Sequence, residues 1–228
     1  MAHYSDLDAG IAGSSYSIPA VPAASAAGAY EIFFKRILDI VLVLLMAPFV
    51  VPVVLGLGLI VRRDGGAAFY CQPRIGRGGK VFRLWKLRSM VTDADRKLEA
   101  YLGANPLARA EWDETQKLKE DPRITAAGRL IRTTSLDELP QLWNVLMGDM
   151  SLVGPRPMMP QQAELYPGRD YYRLRPGLTG LWQISDRNAT SFAARAAYDA
   201  EYSRQMSLLT DVLVLFATVW VVLRGTGY

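Results

Sequence analysis

The chain has 228 residues, 50% of them apolar, which is enough for the core of one domain and too little for two separate full domains. Lysine and arginine outnumber aspartate and glutamate by 26 to 22, and the net charge of +4 favours anionic partners such as phosphates or acidic lipid surfaces. Cys71 and His3 are the only cysteine and histidine, so an internal disulfide and a CxxC zinc site are excluded, and chemistry is expected to run on carboxylates, lysine, arginine or hydroxyls.

The N-terminal part of the chain predicts a tail followed by a membrane segment. Met1–Ala29 is rich in Ala, Ser, Gly and Pro without an apolar period, which predicts a disordered tail. Within the next stretch, residues 30–66, the uncharged run Ile40–Val61 reaches the length of about 20 residues that a bilayer core requires. Basic residues flank this run on both sides, whereas a crossing helix normally has its Lys/Arg excess on one side. We therefore predict a re-entrant helix that bends at Pro48 and Pro52, with a kinked spanning helix as the alternative.

The remainder, residues 67–228, is predicted to be a single domain of the α+β class, mostly helical and packed on the membrane surface. Its first part places two aromatic-rich runs around the turn "IGRGGK", which predicts a small β-hairpin. The charged stretch Thr92–Lys119, interrupted near "GANP", predicts a solvated pair of helices. A last pair is expected at Ser191–Met206 and Leu208–Leu223, and the second of these should pack in the core or lie against the membrane.

A pair of carboxylates, Asp137 and Glu138, precedes an apolar helix in "SLDELPQLWN". The letters "SLDE" match a capping box in which Ser135 caps the helix. Pro140 favours Asp137 as the N-cap instead, because the proline then falls in the first helical turn, where its missing N–H costs no bond. At that position the helix dipole would keep Asp137 ionised, as a nucleophile requires. The alternative that this carboxylate pair only starts the helix stays open.

Several cations stand in stiff or strand-like contexts that suit phosphate binding. Arg156 lies between two prolines in "GPRPMMP", and Arg175 precedes Pro176 in "RLRPGLTG", so the backbone beneath each guanidinium is constrained. Lys86 and Arg88, two residues apart in "WKLRSM", are expected on one face of a strand. Each of these residues could equally be an ordinary ion-pairing side chain.

The sequence resembles a known family in four stretches that occur in this order: "FKRILDIVLVLLMAPFVVP", "QPRIGRGGKVFRLWKLRSM", "DPRITAAGRLIRTTSLDELPQLWNVLMGDMSLVGPRP" and "RPGLTGLWQISDRN". These are similar to the bacterial sugar transferases, the monotopic phosphoglycosyl transferases that start polysaccharide assembly. The resemblance covers about Tyr30 to Tyr228, which is nearly everything except the predicted tail.

The resemblance implies an enzyme of the bacterial inner membrane, with its catalytic domain on the cytoplasmic face. Such an enzyme moves a hexose 1-phosphate, here galactose or glucose, from a UDP-sugar to polyprenyl (undecaprenyl) phosphate and releases UMP, as the first step of exopolysaccharide synthesis. The catalytic positions of the family fall on Asp137, the covalent nucleophile, and Glu138, which helps to hold Mg²⁺. Its phosphate-binding positions fall on Lys86, Arg88, Arg156 and Arg175.

The expected partners are therefore a UDP-hexose, polyprenyl phosphate and the membrane, with no nucleic acid. A homo-oligomer and downstream glycosyltransferases are further partners that the sequence leaves open. Two other functions also stay open: a non-catalytic membrane adaptor that binds nucleotide sugars, and a Mg²⁺-dependent hydrolase of nucleotide-sugar diphosphates that uses the same carboxylates.

Overall fold

A computed structural model describes residues 28–115, 118, 120–185 and 191–223. The predicted disordered tail, Met1–Ala29, thus falls almost entirely outside the described residues.

The described chain is mostly helical with two small sheets, which confirms the predicted α+β class. The helices are α1 (Lys35–Val61), α2 (Ala94–Ala104), α3 (Pro106–Thr115), α4 (Ala126–Thr133), α5 (Gln141–Met147), α6 (Asp170–Arg173), α7 (Leu181–Ile184), α8 (Arg195–Gln205) and α9 (Leu208–Leu223). The strands are β1 (Phe69–Ile75), β2 (Val81–Leu87), β3 (Ser151–Val153) and β4 (Gly177–Thr179). Short segments of 3₁₀ or π helix lie at Tyr30–Phe34, Arg62–Asp64, Arg77–Gly79, Leu136–Glu138 and Pro160–Leu165.

Helix α1 runs for 27 residues and continues through both Pro48 and Pro52. Large apolar side chains along it are exposed, for example Leu45 at 64% and Phe49 at 77%. Within the described chain, Tyr30–Val61 is the one helix whose length and composition alone are sufficient to cross a bilayer. This segment is therefore a candidate membrane anchor, and its return to the face of entry stays a prediction.

The backbone divides into two compact units. The first unit comprises residues 28–47, Cys71–Trp85 and Gln141–Leu223, and the second comprises Pro48–Tyr70 and Lys86–Pro140. This division reflects only how compactly the backbone is packed. It does not test the domain boundaries expected from the sequence, which stay a prediction.

The predicted β-hairpin is present as β1 and β2, which pair in a two-stranded sheet. Its connection carries Gly78 and Gly79 with φ values of 69° and 76°. Residues with a side chain rarely adopt this left-handed conformation, which explains why positions 78 and 79 of "IGRGGK" are both glycine. The helical pair expected between Thr92 and Lys119 is also present, as α2 and α3.

The first unit has an aromatic core next to a short parallel sheet. Its core cluster joins Ile75 at the end of β1 to buried residues that follow β3, namely Met158, Tyr166, Tyr171 and Tyr172. Strands β3 and β4 pair in parallel, with Ser151 opposite Gly177 and Val153 opposite Thr179. Glycine is required here, because a Cβ on Gly177 would lie 2.1 Å from the backbone N of Gly154.

Buried polar contacts also join distant parts of the first unit. Lys35 Nζ donates to Asp211 Oδ2 at 2.6 Å and to the Tyr202 hydroxyl at 2.8 Å, and that hydroxyl donates to Asp211 Oδ1 at 2.6 Å. The start of α1 is therefore held against α8 and α9. Helix α9 packs one face into the core of this unit through Asp211 and Val214, which is one of the two alternatives expected for it. Its Phe216 is 73% exposed.

The second unit is organised around a cluster at the end of α1. Val61, Leu87 and Ile131 are buried there, and Val54, Leu57 and Leu136 pack against them. Helix α4 begins where the Thr125 hydroxyl accepts a hydrogen bond from the Gly128 N–H at 2.9 Å, which is an N-cap. A Cβ on Gly128 would lie 1.9 Å from the Ser89 carbonyl oxygen, so only glycine permits this approach.

Candidate active site

Asp137 and Glu138 lie in the single 3₁₀ turn Leu136–Glu138 of the second unit. Ser135 begins this turn in the left-handed conformation, with φ of 57°, and the Glu138 N–H donates to the Ser135 carbonyl at 3.2 Å. The Ser135 side chain makes no capping bond, so the capping box is absent.

The expectation that Asp137 caps the following helix is also wrong, because α5 begins only at Gln141. The left-handed residue closes the chain into a tight turn first. Pro140, which has no N–H, occupies the junction between the turn and the helix.

The core of the second unit positions both the turn and its cationic neighbour. Leu136, directly before Asp137, packs against the same cluster that buries Leu87. Leu87 directly follows Lys86 at the end of β2. Packing of these two leucines in one cluster therefore places Lys86 beside the carboxylate pair Asp137 and Glu138, which we call the dyad.

Lys86 contacts both carboxylates. Its Nζ lies 2.8 Å from Glu138 Oε1 and 3.4 Å from Asp137 Oδ2. The side chains are 22% exposed for Lys86, 13% for Asp137 and 21% for Glu138, so Asp137 is the least accessible to water. A partly buried ion pair of this kind is screened less than one on the surface.

The pKa of Asp137 reflects a balance of burial and charge. Burial raises its pKa above the ordinary value of 3.8, Lys86 opposes this rise, and the negative charge of Glu138 adds to it. Arg132, in the last turn of α4, is a further cation that lowers the pKa. The ionised form expected from a helix dipole is thus favoured here by Lys86 and Arg132. Sequence reasoning missed Arg132, although a basic residue so close before "SLDE" is a signal that could have identified it.

Arg88 is in the same unit but is engaged with the backbone. Its guanidinium donates to the carbonyls of Ala67 at 2.6 Å, Met90 at 3.0 Å and Val61 at 3.1 Å. These bonds hold the loop after α1 and satisfy a carbonyl at the end of that helix. A phosphate-binding role for Arg88 stays a prediction.

Arg156 and Arg175 belong to the first unit, unlike the dyad. Arg156 lies half-buried in the loop after β3. Arg175 Nε donates to the Gly148 carbonyl at 3.0 Å, just beyond the end of α5. Arg36 caps the same helix end, with bonds to the carbonyls of Val145 and Leu146. The structure thus brings Lys86, Asp137 and Glu138 together, and it describes Arg156 and Arg175 as parts of a separate unit.

The residues of the dyad fit the expected Mg²⁺ ion. In the described chain no group of three or more His, Cys, Asp or Glu side chains could hold a metal. Mg²⁺ commonly binds through one or two carboxylates and completes its shell with substrate phosphates and water. Glu138, partly exposed beside Asp137, suits that mode.

Residues 30–225 match the family model described as bacterial sugar transferase. The chain belongs to the bacterial sugar transferase family. The matched residues include the hairpin, the dyad turn and parts of both described units.

Named relatives of this bacterial sugar transferase include longer proteins. The chain is 50% identical to a UDP-galactose-lipid carrier transferase of Erwinia amylovora and 49% identical to an undecaprenyl-phosphate galactose phosphotransferase of Salmonella typhimurium. Each match covers 86% of this chain but only 41% of the relative. It is also 44% identical to the exopolysaccharide production protein ExoY of Sinorhizobium fredii, over 85% of this chain and 87% of that protein.

Proposed function

We propose that this protein transfers hexose 1-phosphate from a UDP-sugar to polyprenyl phosphate and releases UMP, as the first step of exopolysaccharide synthesis. The family, and relatives named for galactose transfer and exopolysaccharide production, support this reaction class. Galactose or glucose is the proposed sugar. The observation that carries the proposal is the partly buried Asp137 carboxylate, held within reach of the Lys86 ammonium and next to Glu138.

The proposed chemistry has two steps on one phosphorus atom. An Asp137 oxygen forms a bond to the β-phosphorus, the bond from that phosphorus to the bridging oxygen breaks, and UMP leaves with the bridging oxygen. A phosphate oxygen of the polyprenyl phosphate then attacks the same phosphorus and displaces the Asp137 carboxylate. Each step exchanges one P–O bond for another, so no oxidant or reductant is needed.

Lys86 offsets the repulsion that this attack entails. Two unit negative charges about 4 Å apart repel by about 4 kcal/mol at an effective dielectric of about 20. Lys86 Nζ lies close enough to both dyad carboxylates to reduce this cost and to hold Asp137 in its ionised form. Arg132 acts in the same direction.

Glu138 is the proposed protein ligand of Mg²⁺, which when bound would supply further positive charge at the substrate phosphates. Lys86 and Glu138 are now paired at 2.8 Å, so Lys86 would exchange this partner for substrate phosphate when the ion binds. Substrate phosphates are the proposed ligands of three arginines, Arg88, Arg156 and Arg175.

The proposed location is the cytoplasmic face of the bacterial inner membrane. The exposed apolar side chains of α1 support contact with lipid. A polyprenyl acceptor is itself confined to the bilayer, so an anchor of this kind would keep the enzyme with its substrate.

Labelling without acceptor tests the proposal. Purified protein mixed with Mg²⁺ and UDP-hexose carrying a labelled sugar should release about one UMP per enzyme and retain the label, because the second step needs the lipid. Asp137→Asn should abolish the label. Asp95→Asn makes the same chemical change at an exposed site on α2 and should leave labelling intact. A hydrolase would instead release UMP continuously, and an adaptor would do neither; either result contradicts the proposal.

A further inference from the structure

Asn144, on α5, is buried at 1% exposure, and both ends of its side-chain amide are hydrogen-bonded. Its Oδ1 accepts from the Trp85 N–H at 3.0 Å, and its Nδ2 donates to the Arg83 carbonyl at 2.8 Å. The same Nδ2 also donates to Asp149 Oδ2 at 3.2 Å. The amide is therefore held in one orientation against the backbone of β2.

These bonds attach the amide to β2 in the way that a neighbouring strand would be attached. In a parallel ladder, a residue donates to one carbonyl of its neighbour and accepts from the N–H two positions further along. Asn144 makes this pair of bonds with Arg83 and Trp85. Two bonds to one stretch of backbone fix the register of β2 along α5 as well as the distance between them.

Both elements that Asn144 joins lead directly to the candidate active site. Lys86 immediately follows Trp85 in β2, and only two residues separate Glu138 from the start of α5. A strand and a helix are stiff, so the bonds of Asn144 limit the separation of the two chain segments that continue into Lys86 and the dyad.

Lys86 needs such positioning because lysine has a flexible four-carbon stem, and the place of its backbone decides which partners its ammonium can reach. Packing of Leu87 fixes the residue after Lys86, and Asn144 fixes the residue before it. The Nζ of Lys86 lies 3.4 Å from Asp137 Oδ2, which is already longer than an ordinary hydrogen bond. A small shift of β2 away from the dyad would therefore weaken this contact first.

We infer that Asn144 is a positioning residue whose hydrogen bonds to β2 hold the Lys86 ammonium beside Asp137. The chemical importance of this contact rests on the proposed function, in which Asp137 attacks phosphorus. A buried, fully bonded asparagine could also stabilise the fold alone. The two roles differ in what the loss of the amide does to Lys86 and Asp137.

Asn144→Leu separates the two roles, because leucine has nearly the same shape and makes none of the bonds. In single-turnover labelling by the full chain in detergent, the acid limb of the rate should move to higher pH, since Lys86 lowers the pKa of Asp137 and would do so less. In a Lys86→Met background, Asn144→Leu should move the limb no further, because the cation through which Asn144 acts is then already absent.

Tyr171→Phe is the matched control for a loss of stability alone. The Tyr171 hydroxyl is also buried in the first unit, where it accepts from the Met158 N–H at 3.2 Å and donates to the Ile75 carbonyl. Its removal should lower the midpoint of urea unfolding and leave the acid limb in place.

An acid limb that stays in place in folded Asn144→Leu overturns the inference. If that variant does not fold, Asn144→Gln decides, since it keeps the amide but moves it by one methylene; a limb at higher pH supports the inference and an unmoved limb overturns it.

Acetylation of Lys86 tests the same contact without catalysis. Trace acetic anhydride, with mass spectrometry, compares Lys86 with the exposed Lys97 of α2. Asn144→Leu should raise the ratio of Lys86 to Lys97 acetylation by about twofold or more, because the carboxylates would hold Nζ less often in its unreactive charged form. An unchanged ratio overturns the inference. If the unaltered protein takes no sugar label, the proposed reaction fails, and this ratio alone decides whether Asn144 positions Lys86.

Discussion

At the scale of single residues, the pairing of Lys86 with the dyad is the feature that links structure to chemistry. Lys86 and Asp137 are 51 positions apart, so no local pattern announces their contact. The resemblance to a family predicted that both residues belong to the site. The distance between their side chains could not be predicted in this way. Arg88 shows the same limit, since its three carbonyl partners depend on how the chain after α1 returns to β2.

Removing the positive charge of Lys86 should change the pH dependence of labelling. The proposed attack requires an ionised Asp137, so the rate should fall as the pH drops through the pKa of Asp137, which burial raises and Lys86 lowers. Lys86→Met removes the lowering influence, so the acid limb of the labelling rate should move to higher pH.

Single-turnover labelling between pH 5 and 8 measures this shift. Lys80→Met, at an exposed lysine in the hairpin connection, is the matched control and should keep the limb of the unaltered protein. A limb that stays in place in Lys86→Met would show that Lys86 does not act on the ionisation of Asp137.

At the scale of elements, local signals predicted the hairpin and the α2 and α3 pair, and missed the parallel sheet. The turn glycines and the "GANP" interruption act on neighbouring residues, so they can be recognised along the chain. Strands β3 and β4 have three residues each, too few for a visible alternation, and they pair across a long stretch of intervening sequence. Close backbone approach explains the glycines after "RP" only once the partner strand is known.

Gly177→Ala should disrupt this sheet. The added Cβ would lie 2.1 Å from Gly154 N and 2.3 Å from the Thr179 carbonyl oxygen, and backbone at this distance cannot give way cheaply. We expect a loss of about 3 kcal/mol or more in the free energy of unfolding.

The matched substitution is Gly103→Ala in α2, where a Cβ meets nothing within 4 Å. It should be neutral or stabilise the protein by about 0.5–1 kcal/mol, because alanine favours the helix. Urea unfolding of both variants in the same detergent compares them, and equal stability would contradict the proposed strand contact.

At the scale of the whole molecule, the exposed apolar surface of α1 makes membrane topology the central question. Length and composition predicted the segment, and the basic residues on both sides favoured re-entry over crossing. The structure adds that both prolines lie inside one helix, which is compatible with either path through a bilayer. The path of this helix through the bilayer is therefore a question for direct measurement.

Cysteine labelling measures the membrane topology of the apolar helix. In a Cys71→Ala background, Ala29→Cys and Ala67→Cys place thiols at exposed positions before and after the segment. Gly65 is unsuitable, since its φ of 85° disfavours a side chain. If the helix returns to the cytoplasmic face, an impermeant maleimide should label both thiols in inverted vesicles and neither in spheroplasts. Labelling from opposite sides would establish a spanning helix instead.

The buried contact between Lys35 and Asp211 has a consequence for the order in which the protein matures. These partners are separated by 176 positions, so the ribosome must add all of the intervening residues after Lys35 before the two can meet. The apolar segment leaves the ribosome before Asp211 is made, so an anchor formed by this segment would reach the bilayer while Lys35 still lacks its aspartate. Completion of the first unit therefore waits until synthesis has passed Asp211, and a chain that stalls before this residue would lack the partner of Lys35.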